Sequence, residues 1–170
     1  MVPVGCQFSA AGWLLPHGAY DRDLPERRVL NWEGSETIMR TREIPPDRWP
    51  YFLGDFTQLH QGEHVSVETI GQGSPTKDRG GPVESHLCDL PLVGIVADPK
   101  APGGGWIDVI AGDSPATQST HSIPRPSRVV IAEEASGQAV ALQIDSADGS
   151  ITMVRSEPPL EGMPAGFTVL

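Results

Sequence analysis

From residue 64 onward, apolar side chains recur at every second position in short runs, and each run is bounded by Gly, Pro, Asp or Ser. A period of two places alternate side chains on opposite faces of an extended chain, so this pattern commits most of the molecule to half-buried β-strands. Val65 and Val67 alternate with His64, Ser66 and Glu68, and Ile107 and Val109 with Trp106, Asp108 and Ile110. Residues 83–88 predict another strand, and the continuous run Leu92-Val93-Gly94-Ile95-Val96 predicts a central strand covered on both faces. Residues 120–123 form a short extended piece stopped by Pro124 and Pro126. Residues 128–133 and 138–145 flank Ala135-Ser136-Gly137, and 150–155 follows a turn containing Asp148-Gly149, both hairpin connections with Gly available for positive φ. The chain holds 19 Gly and 17 Pro, a content compatible with a folded domain because many of these residues gather between the apolar runs.

One segment breaks the period of two. Trp49, Phe52, Leu53, Phe56 and Leu59 form an apolar stripe at helical spacing. Asp47 is placed to cap the first turn, Pro50 sits where its missing N–H costs nothing, and Gly62 terminates the helix. The stripe is expected to pack on a sheet rather than to line a cofactor groove. Together these elements predict an α+β, mainly β fold: an N-terminal amphipathic helix on a bent antiparallel sheet or small half-barrel of six to seven strands.

Residues 1–38 show no sustained period and read as a flexible arm or as an upstream over-extension of the reading frame, with Met39 as the working start. Residues 39–157 then form a single β-rich domain, and 158–170 a C-terminal tail. The formal charge of −10 repels phosphate backbones and anionic lipid surfaces, which argues against nucleic acid and membrane partners. No apolar run approaches the roughly 18 residues of a membrane span. Two cysteines, Cys6 and Cys88, make no disulfide framework, and a reducing cytoplasm is the expected compartment.

Arg42-Glu43-Ile44-Pro45 followed by Trp49, Phe52, Phe56 and His60 resembles the opening of a bacterial family of small proteins grouped only as a domain of unknown function. Leu90-Pro91-Leu92-Val93-Gly94-Ile95 with Ala97-Asp98 is similar to its central segment. Thr120-His121-Ser122-Ile123 with Pro126, and Ile144-Asp145-Ser146-Ala147-Asp148-Gly149, resemble its later ones. The resemblance spans roughly 41–156. It implies a bacterial origin and a compact chain beginning near Met39, and it carries over no catalytic or binding residue. The glycine-rich stretch 71–81 departs from the family by its length.

Several residues invite a chemical reading. Gly112-Asp113-Ser114-Pro115-Ala116 imitates a serine nucleophile turn, but no helix follows to raise the Ser as an α/β-hydrolase requires. His60 and His64 have i, i+4 spacing, yet Gly62 lies between them; His86 and His121 join them only through tertiary structure. His86 and Cys88 share a strand face, which makes a thiolate–imidazole pair conceivable, although a buried structural cysteine is the simpler reading. Glu133-Glu134 and Asp145 with Asp148 are acidic clusters at hairpin ends, too sparse for calcium. Gly103-Gly104-Gly105 lacks the Lys and Ser/Thr of a phosphate loop.

The ligand-binding candidates are His60, beside the helix end, and His121, next to a proline-rich bend. No metal site and no cofactor are expected. The function read from the sequence is a non-enzymatic module that binds a small molecule or a protein. Its rivals are a small metal-dependent or hydrolytic enzyme using His60, His121 or Ser114, and a homodimeric structural subunit.

Overall fold

The computed structural model describes residues 26–30, 36–71, 83–134 and 137–156. Nine strands run in chain order: β1 (Glu26–Leu30), β2 (Glu36–Ile44), β3 (His64–Ile70), β4 (Val83–Asp98), β5 (Trp106–Ala111), β6 (Ser119–Pro124), β7 (Pro126–Glu134), β8 (Ala139–Ser146) and β9 (Ile151–Ser156). They form one antiparallel sheet in the order β1-β2-β7-β8-β9-β3-β4-β5-β6. The single helix, α1 (Trp49–His60), follows β2 through a turn of 3-10 helix at Pro46–Arg48.

The mainly antiparallel β character with one helix agrees with the sequence reading; the finer count does not. Among the described residues there are nine strands rather than six to seven, and the helix enters after two of them rather than at the N-terminal side of the sheet. Residues 26–30 and 36–38, read as part of an arm, run as strands, and Met39 lies inside β2 opposite Glu134. The expected C-terminal tail, 158–170, lies outside the described residues.

Two strands expected separately, 83–88 and 90–97, are one long strand. Up to Pro91, β4 pairs with β3; from Leu92 on it pairs with β5. Asp89, at φ +49°, turns the chain at this exchange, since Asp is among the few residues that tolerate the left-handed region. The sheet therefore bends through β4 as at a corner. A second corner, Arg125 at φ +49°, sends the chain from β6 into β7. Its amide donates to the Gly105 carbonyl at 3.0 Å, and its own carbonyl accepts the Ala147 amide at 2.9 Å.

The bent sheet encloses the main core, and a smaller cluster of Ala132, Ala141, Ile151 and Met153 is buried separately. In the main core Val65, Val67, Leu87, Leu92, Val109, Ile123, Ile131, Leu142, Ile144 and Val154 meet Trp49, Leu53 and Phe56 of α1. On the helix, successive residues turn by about 100°, which puts Trp49, Leu53, Phe56 and position 60 within one narrow stripe. His60 is thus buried, at 7% exposure, whereas Leu59 lies on the flank at 77%. Leu59 leaves the expected stripe for this reason, and His60 takes its place. Asp47 falls in the 3-10 turn and makes no side-chain cap. Gly62, at φ +85°, ends the helix as expected.

Beyond the start of β3, the edge of β4 has no strand beside it, and α1 covers it. The Ile95 amide donates to Thr57 Oγ1 at 2.8 Å, and the same hydroxyl lies 3.4 Å from the Ile95 carbonyl. One threonine thereby satisfies backbone groups that a tenth strand would otherwise take. Trp49 Nε1 donates to the Ile44 carbonyl at 2.8 Å and ties the helix start to β2.

Candidate functional site

The two histidines singled out from the sequence meet different fates. His60 ends α1 inside the core. Its ring stacks on Phe56 with centroids 4.3 Å apart, and Nδ1 lies 2.8 Å from Glu63 Oε2. A ring so held has one nitrogen committed to a carboxylate and one face committed to packing. His60 is a structural element of the helix end.

His121 alternates with Ile123 on β6, so it points to the core side of the sheet. There it stacks on His86 of β4, with ring centroids 3.8 Å apart and planes inclined by 18°. Its Nε2 lies 3.4 Å from Thr69 Oγ1 of β3, and Thr69 is bonded in turn to Thr152 of β9 at 3.1 Å. Thr69 and Thr152 stand directly opposite each other and alternate with Val67 and Val154, which fixes both on the core face. β6 stands three places from β3 in the strand order, so only the curl of the sheet lets His121 reach Thr69. The result is a polar corner at the rim of the apolar core, with His121 and Thr69 half-buried and His86 exposed.

The electrostatics of this corner follow from burial. Desolvation, then the neighbouring His86, push the His121 pKa from 6.5 down to about 4, against an opposing pull from Asp108. At neutral pH the ring is therefore uncharged and offers one donor and one acceptor. Ser146 adds a further hydroxyl to the core face. It lies one alternation beyond Ile144, which pairs with Thr152. Its buried Oγ has no hydrogen-bond partner among the described residues.

The other candidates resolve structurally. Ser114 Oγ is bonded to Thr117 Oγ1 at 3.0 Å, and the Ser114 amide donates to the same hydroxyl at 3.1 Å, so the turn closes on itself without a base. Gly112 is required there by packing, since a Cβ on it would lie 2.7 Å from Gln118 Cα. Cys88 is disulfide-bonded, which removes the thiolate that a pair with His86 would need. Among the described residues no group of three or more His, Cys, Asp or Glu is placed to hold a metal ion. Asp148 is held below the usual carboxylate range by hydrogen bonds from the Ser150 hydroxyl and amide, the chemistry of a tight turn.

Two constellations escaped sequence reasoning. His64 Nδ1 lies 2.8 Å from Asp89 Oδ1, and the Asp89 amide donates to Ser66 Oγ at 3.2 Å. All three residues of a serine-type triad are present, but Ser66 is bonded to the Asp89 backbone and not to His64. On the face away from the core, Arg155 pairs with Glu68 at 2.9 Å, and Gln143 donates to Asp145 at 2.7 Å. Both clusters join residues distant in sequence, and strand register alone brings them together.

No protein-family model, curated protein or solved structure matches the chain. Among the described residues no helix is long and apolar enough to cross a membrane.

Proposed function

We propose that this chain is a non-enzymatic binding module whose site is the polar corner of His121, His86, Thr69 and Thr152. The observation that carries the reading is the convergence of the His121 ring with the Thr69 and Thr152 hydroxyls on the core face, with a buried Ser146 hydroxyl left without a partner among the described residues. Binding sites typically combine apolar surroundings with a few convergent polar groups, and the meeting of these side chains beside the core is what supports the reading. An imidazole kept neutral discriminates against anions, and the chain's charge of −10 adds to this. The ligand class is therefore a small, uncharged, hydrogen-bonding molecule rather than a phosphate or nucleic acid.

Binding is preferred to hydrolysis because neither Ser114 nor Ser66 has a histidine in hydrogen-bond contact. Membership in the bacterial family of unknown function is part of the proposal and rests on the order and spacing of the motifs between 41 and 156. The compartment is less well served by the cytoplasmic expectation, since a disulfide at Cys88 favours an oxidising environment.

Histidine-selective NMR of the full chain at pH 7.5 tests the site. Uncharged sugars and nucleobases are added in one series and nucleoside monophosphates in another. Shifts of the His121 and His86 ring signals with an uncharged compound are expected. Shifts confined to His60, or a preference for the phosphates at His121, would overturn the assignment.

A second reading, a homodimer, is favoured by the position of β6 at one end of the strand order, where it is paired by β5 on one side. Light scattering across a concentration series separates the two readings.

A further inference from the structure

We propose that the stacked His86 and His121 rings form a proton-operated latch that holds β6 across β3 and β4 at neutral pH and releases it in acid. The latch would regulate access to the polar corner and rests on that site reading for its consequence, though the latch itself is measurable without a ligand.

Two side chains of β6 reach beyond β5: Ile123, buried in the core, and His121, the polar and titratable one. Among the described residues, the backbone ladder of β6 runs to β5 alone. His121 reaches past β5 to stack on His86 and approach Thr69 Oγ1. The stretch of β4 that carries His86 is paired with β3, not with β5, so no backbone ladder joins it to β6. What bridges these parts is a pair of rings 3.8 Å apart.

Two neutral imidazoles stack without electrostatic cost. Two protonated ones would set like charges face to face 3.8 Å apart, with His121 half-buried and His86 open to solvent that screens part of the repulsion. Each element packed around the pair contributes to this balance. Asp108 on β5 favours a charged His121, but its Oδ1 already accepts a hydrogen bond from Ser122 Oγ at 2.6 Å. From β3 and β9 the facing groups are the uncharged Thr69 and Thr152. On β4, Glu84 stands opposite Thr69 and is exposed.

The sign follows directly. His121 in the latched form titrates at about 4, below its ordinary 6.5, so the released form binds the proton more tightly. Above 6.5 the latch is fully favoured; as pH falls from 6.5 toward 4, release gains progressively; below 4 the effect no longer grows.

Amide hydrogen exchange of the full chain at pH 7 and pH 4.5, corrected for intrinsic exchange rates, reads the latch. In the wild type, protection of residues 119–124 is expected to fall on the order of fiftyfold relative to α1 on acidification, the change that a released value of 6.5 and a latched value of about 4 give between pH 7 and pH 4.5. In His121→Phe, which keeps a stacking ring and cannot be protonated, that relative fall is expected to vanish. His121→Gln, which retains hydrogen bonding, should behave likewise and serves if the Phe variant does not fold. Wild-type β6 that keeps its protection at pH 4.5, or a folded variant that loses it as the wild type does, would overturn the latch. Neither result bears on ligand binding at pH 7.5, so the site and its regulation fail separately.

Discussion

The helix face and the polar corner each place a histidine against an aromatic ring on the core side of the same sheet, yet they use it in opposite ways. At the helix face, His60 is buried on Phe56 and bonded to Glu63, three residues away on its own turn. Its partners are local and its ring completes an apolar stripe. At the polar corner, His121 is half-buried, and its partners lie on β3 and β4. The first arrangement is settled once the helix forms; the second exists only if the whole sheet curls. The difference teaches that a histidine's role here is set by whether its neighbours come from its own element or from distant ones.

The comparison predicts a graded set of stability effects. The largest belongs to the helix face. Leu53 is completely buried among core residues from the sheet, so Leu53→Ala is expected to cost about 2–5 kcal/mol in urea unfolding. A cost below about 1 kcal/mol would mean that α1 is dispensable packing. Next comes a pair of matched substitutions. His60→Ala removes a buried ring and a carboxylate hydrogen bond and is expected to cost about 2 kcal/mol. His121→Ala removes a half-buried ring from a corner that water can reach and should cost about 1 kcal/mol. If His121→Ala proved the more damaging, the corner would be a folding element, and its assignment as a site would weaken.

Much of this contrast was legible in the sequence. The stripe of Trp49, Leu53 and Phe56 announced the helix, and alternation at Val65, Val67, Ile107 and Val109 announced strands, because both patterns are local consequences of backbone geometry. The union of two expected strands into β4 was not legible. Asp89 adopts a left-handed conformation inside the strand, and nothing adjacent distinguishes it from a turn residue. The strands β1 and β2 were missed because charged residues occupy much of Glu26–Leu30 and Glu36–Ile44 and hide any period of two. At the site, His121 was visible as a candidate, but its partner was not. His86 reaches it only through the bend of β4 and the return of β6, neither of which leaves a mark near either histidine. His60 was visible as a candidate beside the helix end, but its packing on Phe56 was not, because the expected stripe ended at Leu59.

The smallest expected effect concerns the corner of β4 itself, which separates the two regions. His64 Nδ1 and Asp89 Oδ1 form a close polar pair, but their side chains are 51% and 64% exposed. Solvent screens such a pair, and ordering two mobile side chains costs entropy, so His64→Ala should change stability by no more than about 0.5 kcal/mol. The bend does not depend on that pair. It depends on the Asp89 backbone, whose amide is held by Ser66 Oγ and whose φ of +49° suits Asp or Gly far better than a residue with an apolar Cβ. Asp89→Gly should therefore match His64→Ala, since each loses the side-chain pair and neither adds strain, whereas Asp89→Ala should cost about 1 kcal/mol more. Equal losses for Asp89→Ala and Asp89→Gly would show that the side-chain pair holds the corner, and that the bend of β4 is a surface electrostatic feature instead of a backbone one.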